Sequence, residues 1–194
     1  MQVKDVIRYR RRIRKFSDRK IDHTDLLEIL EAARLAPSAQ NSQPWHFIVV
    51  QDMKMIKEIA NCVPVGFVRI NSWMGKAASI IVCCSKPKIF THRMAKIFVR
   101  NLYLIDLAIA IENMVLRAAD LGIGSCWVGW FSEKKVKKLL GIPYNYDVGM
   151  LLPLGYPEKE SNEMGLGGVP PRERKPLEKI VSYEIFGNKK RVHI

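Results

Sequence analysis

Residues Asn101 to Leu121 read as a helix with apolar side chains on nearly every face. Leu102, Ile105, Ala108, Ile109, Ile111, Met114, Val115, Ala118 and Ala119 cover more than the single stripe of an ordinary surface helix. Such a helix belongs at the centre of a core or at an oligomer interface, and the rest of the chain must be built to cover it. Gly122 stands where the C′ glycine of a helix falls and marks its end.

The covering elements alternate in type. Val3, Val6 and Ile7 suit one face of a short N-terminal helix. Asp22 is placed to cap a second helix, in which Leu26, Ile29, Leu30 and Ala33 keep helical spacing up to the break at Pro37. His46 to Val50 is a strand by composition, Lys54 to Ala60 a short helix, and Ser79 to Cys84 a strand buried on both faces. Ser132 caps a helix that ends before Gly141 and Pro143, and Val148 to Leu154 is a further strand. Residues 158–176 are a charged Gly/Pro-rich connector, and Pro176 to Val181 is at most a turn of helix. The segments 62–76 and 86–100 carry no clear pattern. A chain of 194 residues can bury one sizeable core, and no internal repeat divides it.

Composition narrows the function classes. The 48% hydrophobic and 26% charged content is that of a globular protein, and no run of about 18 apolar residues is present to span a membrane. The N-terminus lacks the apolar stretch of a secretory signal. Cys62, Cys83, Cys84 and Cys126 have no C-x-x-C spacing and are expected as reduced, mostly buried thiols in a cytoplasmic protein. Adjacent Cys83 and Cys84 should point to opposite faces of their strand.

The net charge of +13 is uneven. Residues 1–100 hold 19 Lys/Arg against 8 Asp/Glu, and no acidic residue occurs between Ile59 and Ile105. Such a field favours anionic ligands: phosphorylated cofactors, nucleic acid or acidic membranes. In the run Arg10-Arg11-Arg12-Ile13-Arg14, an extended backbone would set Arg10, Arg12 and Arg14 on one face as a phosphate clamp. A solvated basic run or a nucleic-acid contact fits the same residues. Arg172, Arg174 and Lys175 form a second basic group, while Lys134, Lys135, Lys137 and Lys138 read as a solvated helix face.

The loop Ala36-Pro37-Ser38-Ala39-Gln40-Asn41-Ser42-Gln43-Pro44-Trp45 joins a helix to a strand with small and amide side chains and no charge. Asn and Gln each offer donors and an acceptor, which suits a heterocycle edge alternating C=O and N–H. An ordinary helix-to-strand connection has the same composition. Gly122-Ile123-Gly124-Ser125 follows a helix and lacks the third glycine of a dinucleotide fingerprint, so a Rossmann site is rejected. The phosphate-loop, H-E-x-x-H and G-x-S-x-G patterns are absent. Neither metal ligands nor a protein general acid or base is assigned.

Three segments in order resemble the flavin-dependent nitroreductase family. Arg10-Arg11-Arg12-Ile13-Arg14-Lys15-Phe16 resembles its R-R-S-x-R-x-F segment, with Arg12 where Ser is usual. Ala36-Pro37-Ser38 through Asn41-Ser42-Gln43-Pro44-Trp45 is similar to A-P-S-x-x-N-x-Q-P-W, and Leu121 to Trp127 to L-G-L-G-S-x-W. Leu154-Gly155-Tyr156-Pro157 matches the strand end that follows.

The resemblance implies an α+β fold of three α-β-α layers, with a central mixed, mainly antiparallel sheet, in one domain over 1–194. It implies an intertwined homodimer with one FMN at each of two interface sites. Arg10, Arg11, Arg12 and Arg14 would lie at the phosphate and ribityl end, joined by Arg172 and Arg174. Pro37, Ser38, Ala39, Asn41 and Gln43 would approach the flavin from the other subunit, and Val128–Gly129 would run along its ring. The tail from about 176 to 194 would wrap the partner, and the region around 86–100 would form the lid that shapes substrate choice. The implied activity is ping-pong electron transfer from NAD(P)H to nitroaromatic, quinone or similar acceptors. The alternatives are another redox role in the same family, such as a dehalogenase or oxidase, or a basic nucleic-acid-binding protein. The last is disfavoured because no helix-turn-helix, RNP or zinc pattern is present.

Overall fold

The computed structural model describes residues 1–63, 72–86, 101–160 and 165–189. Beyond Lys86, the expected lid lies outside these residues, as do the last five residues of the tail and the middle of segment 62–76.

Six helices are described: α1 (Val3–Tyr9), α2 (His23–Arg34), α3 (Met53–Asn61), α4 (Leu102–Asp120), α5 (Glu133–Leu140) and α6 (Leu177–Ile180). Four strands, β1 (Trp45–Val50), β2 (Ser79–Ser85), β3 (Gly124–Ser125) and β4 (Asp147–Gly155), form one sheet in the order β1-β2-β4-β3. Neighbouring strands all run antiparallel. The mixed character expected of the sheet rests on one parallel bridge, Arg12 to Ser125.

The sheet divides two cores. Ile80, Val82 and Cys84 of β2 pack with Val6 of α1, Ile56 and Ile59 of α3 and Val136 of α5. Ile81 and Cys83 pack with Leu26, Ile29 and Ala33 of α2 and with Leu107, Ile111, Met114 and Val115 of α4. The layers are therefore α-β-α. Every residue of β2 is buried, as its unbroken apolar composition requires of a strand covered on both faces. Cys83 faces Met150 and Cys84 faces Val148, so Gly149 is the extra residue of a bulge between them. The two adjacent thiols thus enter different cores, and burial pushes Cys84 up to about 11 and raises Cys83 as well.

α4 is the long apolar helix read from sequence. It ends in a Schellman arrangement: Gly122 (φ +74°) donates to Ala119 O at 3.0 Å and Ile123 to Ala118 O at 2.8 Å. Ile105 and Ile109 remain exposed on the monomer, so one stripe of α4 is not covered by the described elements. Asp22 and Ser132 occupy the N-cap positions of α2 and α5, yet neither side chain makes the capping bond. Asp52 does cap α3, accepting from Met55 N at 2.7 Å. Among the described residues no helix is long and apolar enough to cross a membrane.

Candidate functional site

α1 stops at Tyr9, and Arg10 (φ −51°, ψ 133°) turns the chain into extended backbone along the edge of the sheet. Ile13 N donates to Ser125 O at 3.0 Å, beside the Arg12 to Ser125 bridge. Side chains then alternate: Ile13 is buried while Arg12 and Arg14 are exposed. The approach is close enough to dictate composition. A Cβ on Gly124 would stand 2.6 Å from Ile13 Cβ, and one on Gly155 would stand 2.8 Å from Phe16 Cδ1. The glycines of both turn motifs therefore let the arginine-rich strand lie against the sheet.

The other wall comes from the connector. Gly165 (φ +122°) opens a short 3₁₀ turn at Leu166–Gly168, and the chain continues through Pro170 and Pro171 to Arg172 and Arg174. Between the walls lies a cleft of about 660 Å³ lined by Ile7, Arg8, Arg10, Arg11, Arg12, Val169 to Arg172 and Arg174. Among the described residues no carboxylate lines it. Burial lowers the Arg12 pKa, and the charges of Arg14 and Arg172 push it the same way. Cations crowded like this fit a phosphate, which returns what desolvation and mutual repulsion cost.

The arginines differ in role. Arg10 Nε lies 3.8 Å from Glu112 Oε1 on α4. Burial raises the Glu112 pKa, opposed by Arg10 and by a hydrogen bond from Trp127. Arg11 donates to backbone carbonyls, including Val169 O at 2.8 Å and Arg10 O at 2.9 Å. Arg14 borders an adjoining cleft of about 340 Å³ with Arg12, Lys15 and Lys159, and its guanidinium stands 5.5 Å from the centre of the Trp73 ring.

The amide loop is locked in an unusual shape. Gln40, Asn41 and Gln43 all have positive φ, near 50°. Left-handed backbone at three non-glycine residues in one loop is costly and persists only where neighbours enforce it. Gln43 N donates to Ser38 Oγ at 2.9 Å and Gln43 Nε2 to Asn41 Oδ1 at 3.0 Å. Ala39 N donates to Asp106 Oδ1 at 3.2 Å. Asp106 is buried on α4, and Ser42 Oγ is buried with no partner among the described residues.

Within one chain the candidates fall into separate groups. Arg10, Arg11, Arg12, Arg172 and Arg174 share one cleft, and Arg14 borders the next. Pro37, Ser38, Ala39, Asn41, Gln43, Val128 and Gly129 line neither. Val128 is paired with Leu151 through two backbone bonds of 3.0 Å, and Gly129 is exposed beside it. Sequence reasoning missed Arg8, Lys15, Lys159, Asp106 and Glu112. The signal for the last two was present: carboxylates standing alone in an apolar helix need a reason to be there.

Comparison with known proteins gives the class and then the family. The fold is that of solved oxidoreductases. An FMN-dependent nitroreductase from Clostridium difficile R20291 superposes with a TM-score of 0.75 at 25% identity, over 93% of this chain and 98% of its own. A nitroreductase family protein from Clostridium novyi NT superposes with a TM-score of 0.75 at 36% identity, over 84% of this chain and 90% of its own. A protein of Archaeoglobus fulgidus, provisionally named an NADH dehydrogenase/NAD(P)H nitroreductase, is 40% identical over 157 residues, covering 79% of this chain and 84% of the relative. The Nitroreductase family model matches residues 7–156, and the chain belongs to that family.

Proposed function

We propose that the protein is an FMN-dependent oxidoreductase that carries electrons from NAD(P)H to nitroaromatic, quinone or similar acceptors in a ping-pong cycle. The observation that carries the reading is the arginine cleft, lined by Arg8, Arg10, Arg11, Arg12, Arg172 and Arg174 with no carboxylate among the described residues. Its donor set suits the phosphate of FMN, with Arg10, Arg12, Arg172 and Arg174 around the group and Arg14 at its margin. Bound FMN would supply acceptance of hydride from NAD(P)H and its delivery onward as electrons.

The chain's own part is position and charge. The arginines hold the phosphate end, and their field favours an anionic reduced flavin. The loop from Pro37 to Gln43 offers backbone N–H groups and amide forks to the edge of the ring. Val128–Gly129 passes along the ring, where glycine leaves room for close approach. Because the loop and Val128–Gly129 line neither basic cleft, the proposed site is completed by a second copy of the chain. The exposed Ile105 and Ile109 of α4, and the exposed Leu177, Ile180, Ile185 and Phe186 of the tail, supply apolar surface for that homodimer. The whole of 1–194 acts as one FMN-binding domain in this reading.

The test is a visible absorption spectrum of the purified protein, with the released pigment identified by mass. FMN near one per chain, bleached by NAD(P)H without oxygen and restored by a nitroaromatic or quinone, is the expected result. Restoration only by a halogenated aromatic would redirect the reading to a dehalogenase. A colourless protein that takes up no added FMN and binds DNA with a steep salt dependence would overturn it.

A further inference from the structure

We infer that Arg11 is a positioning residue that fixes the two arginine-bearing walls of the cleft at one spacing, without itself holding the ligand. This rests on the reading of the cleft as a phosphate site.

The geometry is that of a strap. Arg11 Nη1 donates to Arg8 O at 2.5 Å, Arg10 O at 2.9 Å and Tyr9 O at 3.3 Å, which are carbonyls at the C-terminal end of α1. Its charge also complements the negative end of that helix. Arg11 Nε donates to Val169 O at 2.8 Å, across a separation of 158 residues. The guanidinium lies so close to the connector that a Cβ at Gly165 would stand 2.7 Å from Arg11 Cζ. Gly165 also has φ +122°, a backbone state that side chains rarely adopt.

One planar group therefore bonds the end of α1 to Val169 after the 3₁₀ turn at Leu166–Gly168 and packs against Gly165 before it. The end of α1 and the extended segment that follows it carry Arg8, Arg10 and Arg12, and the segment leaving the turn carries Arg172 and Arg174. Leu166, in the middle of the tie, is fully buried, so the turn is held from inside as well. Only a guanidinium has the fork that serves carbonyls on two sides at once, and an ammonium does not. The donors used in these bonds point at protein carbonyls, which is the chemistry of a brace and not of an anion ligand.

The experiment is a double-mutant cycle read by quenching of flavin fluorescence, with FMN and riboflavin as probes. Arg11→Ala is expected to weaken FMN about 10-fold or more, the range for losing charge-assisted hydrogen bonds, and to leave riboflavin affinity unchanged. In an Arg172→Ala/Arg174→Ala background, Arg11→Ala is expected to add nothing, because the connector arginines whose spacing from the other wall it sets are gone. Arg11→Lys should be as weak as Arg11→Ala, and Gly165→Ala should reproduce the loss. Full additivity together with rescue by lysine would make Arg11 a direct phosphate ligand and overturn the inference. So would an unaltered FMN affinity in Arg11→Ala, or an equal loss of riboflavin. If Arg172→Ala/Arg174→Ala itself leaves FMN affinity intact, it is the phosphate reading that falls.

Discussion

The buried carboxylate of Asp106 accepts the backbone N–H of Ala39 at 3.2 Å, tying the core helix α4 to the loop with three left-handed residues. Removing that acceptor releases the loop. Asp106→Ala is expected to cost about 1–3 kcal/mol, the usual penalty for a hydrogen-bonding group left without its partner. At about 2–4 °C per kcal/mol for a chain of this size, the melting temperature should fall by several degrees. Hydrogen exchange at residues 39–43 should accelerate, and unchanged exchange there would remove Asp106 from the loop's support.

The close contacts of the arginine-rich strand separate two kinds of glycine. Gly122 has positive φ and open space around its Cβ direction, whereas a Cβ at Gly124 would collide with Ile13 at 2.6 Å. Gly122→Ala should cost about 1–2 kcal/mol through backbone strain alone. Gly124→Ala should cost about 1–3 kcal/mol and also displace Arg12, so FMN affinity should fall with stability. Urea unfolding and flavin titration of both variants check this, and equal FMN affinity in the two would detach the glycine from the cleft.

Arg14→Ala is expected to release FMN far more readily than Lys137→Ala. Lys137 is a control of similar charge that already pairs with Glu133 at 2.7 Å on α5. Comparing the FMN retained after gel filtration at matched salt is the measurement. Equal retention would take Arg14 out of the phosphate site.

The exposed stripe of α4 bears on assembly. Ile105→Glu with Ile109→Glu would put charge into the proposed apolar contact between two copies. Sedimentation should then report a monomer that holds little FMN, since one chain carries only part of the proposed site. A dimer with full flavin content would move the interface elsewhere.

Alkaline pH should weaken the fold through Tyr103. Its hydroxyl donates to Asp147 Oδ2 at 2.7 Å, and burial with that bond pushes its pKa up to about 12. Above pH 10 the unfolded chain loses this proton while the folded chain keeps it, so stability falls as pH rises from about 10 to 12. Tyr156, raised by burial and by its bond to Asp25, adds in the same direction. Urea midpoints from pH 9 to 12 should decline in the parent and less steeply in Tyr103→Phe.

Most elements of the fold were legible in the sequence because their signals are local, whereas the two-residue β3 at Gly124–Ser125 read only as part of a glycine-rich turn. Gly122 closes α4, and the unbroken apolar run of β2 reads directly as a strand covered on both faces. Burial of α1 was not legible: only Val6 faces the core, while Val3 and Ile7 are exposed, a choice made by distant neighbours. The shared face proposed for Arg10, Arg12 and Arg14 is divided in the structure. α1 runs to Tyr9, so Arg10 lies at its end beside Glu112, and only Arg12 and Arg14 follow strand alternation. No pattern within residues 10–14 marks Arg11 apart from its neighbours, because its partners at 165–169 lie beyond any local window.

With β2 as the common wall of both cores, neither half of the molecule can melt alone. Opening the side of α3 and α5 would bare Ile80, Val82 and Cys84, and the same strand carries Ile81 and Cys83 into the other side. Denaturation should therefore be a single cooperative step, with tryptophan fluorescence and far-ultraviolet circular dichroism tracing one superimposable curve.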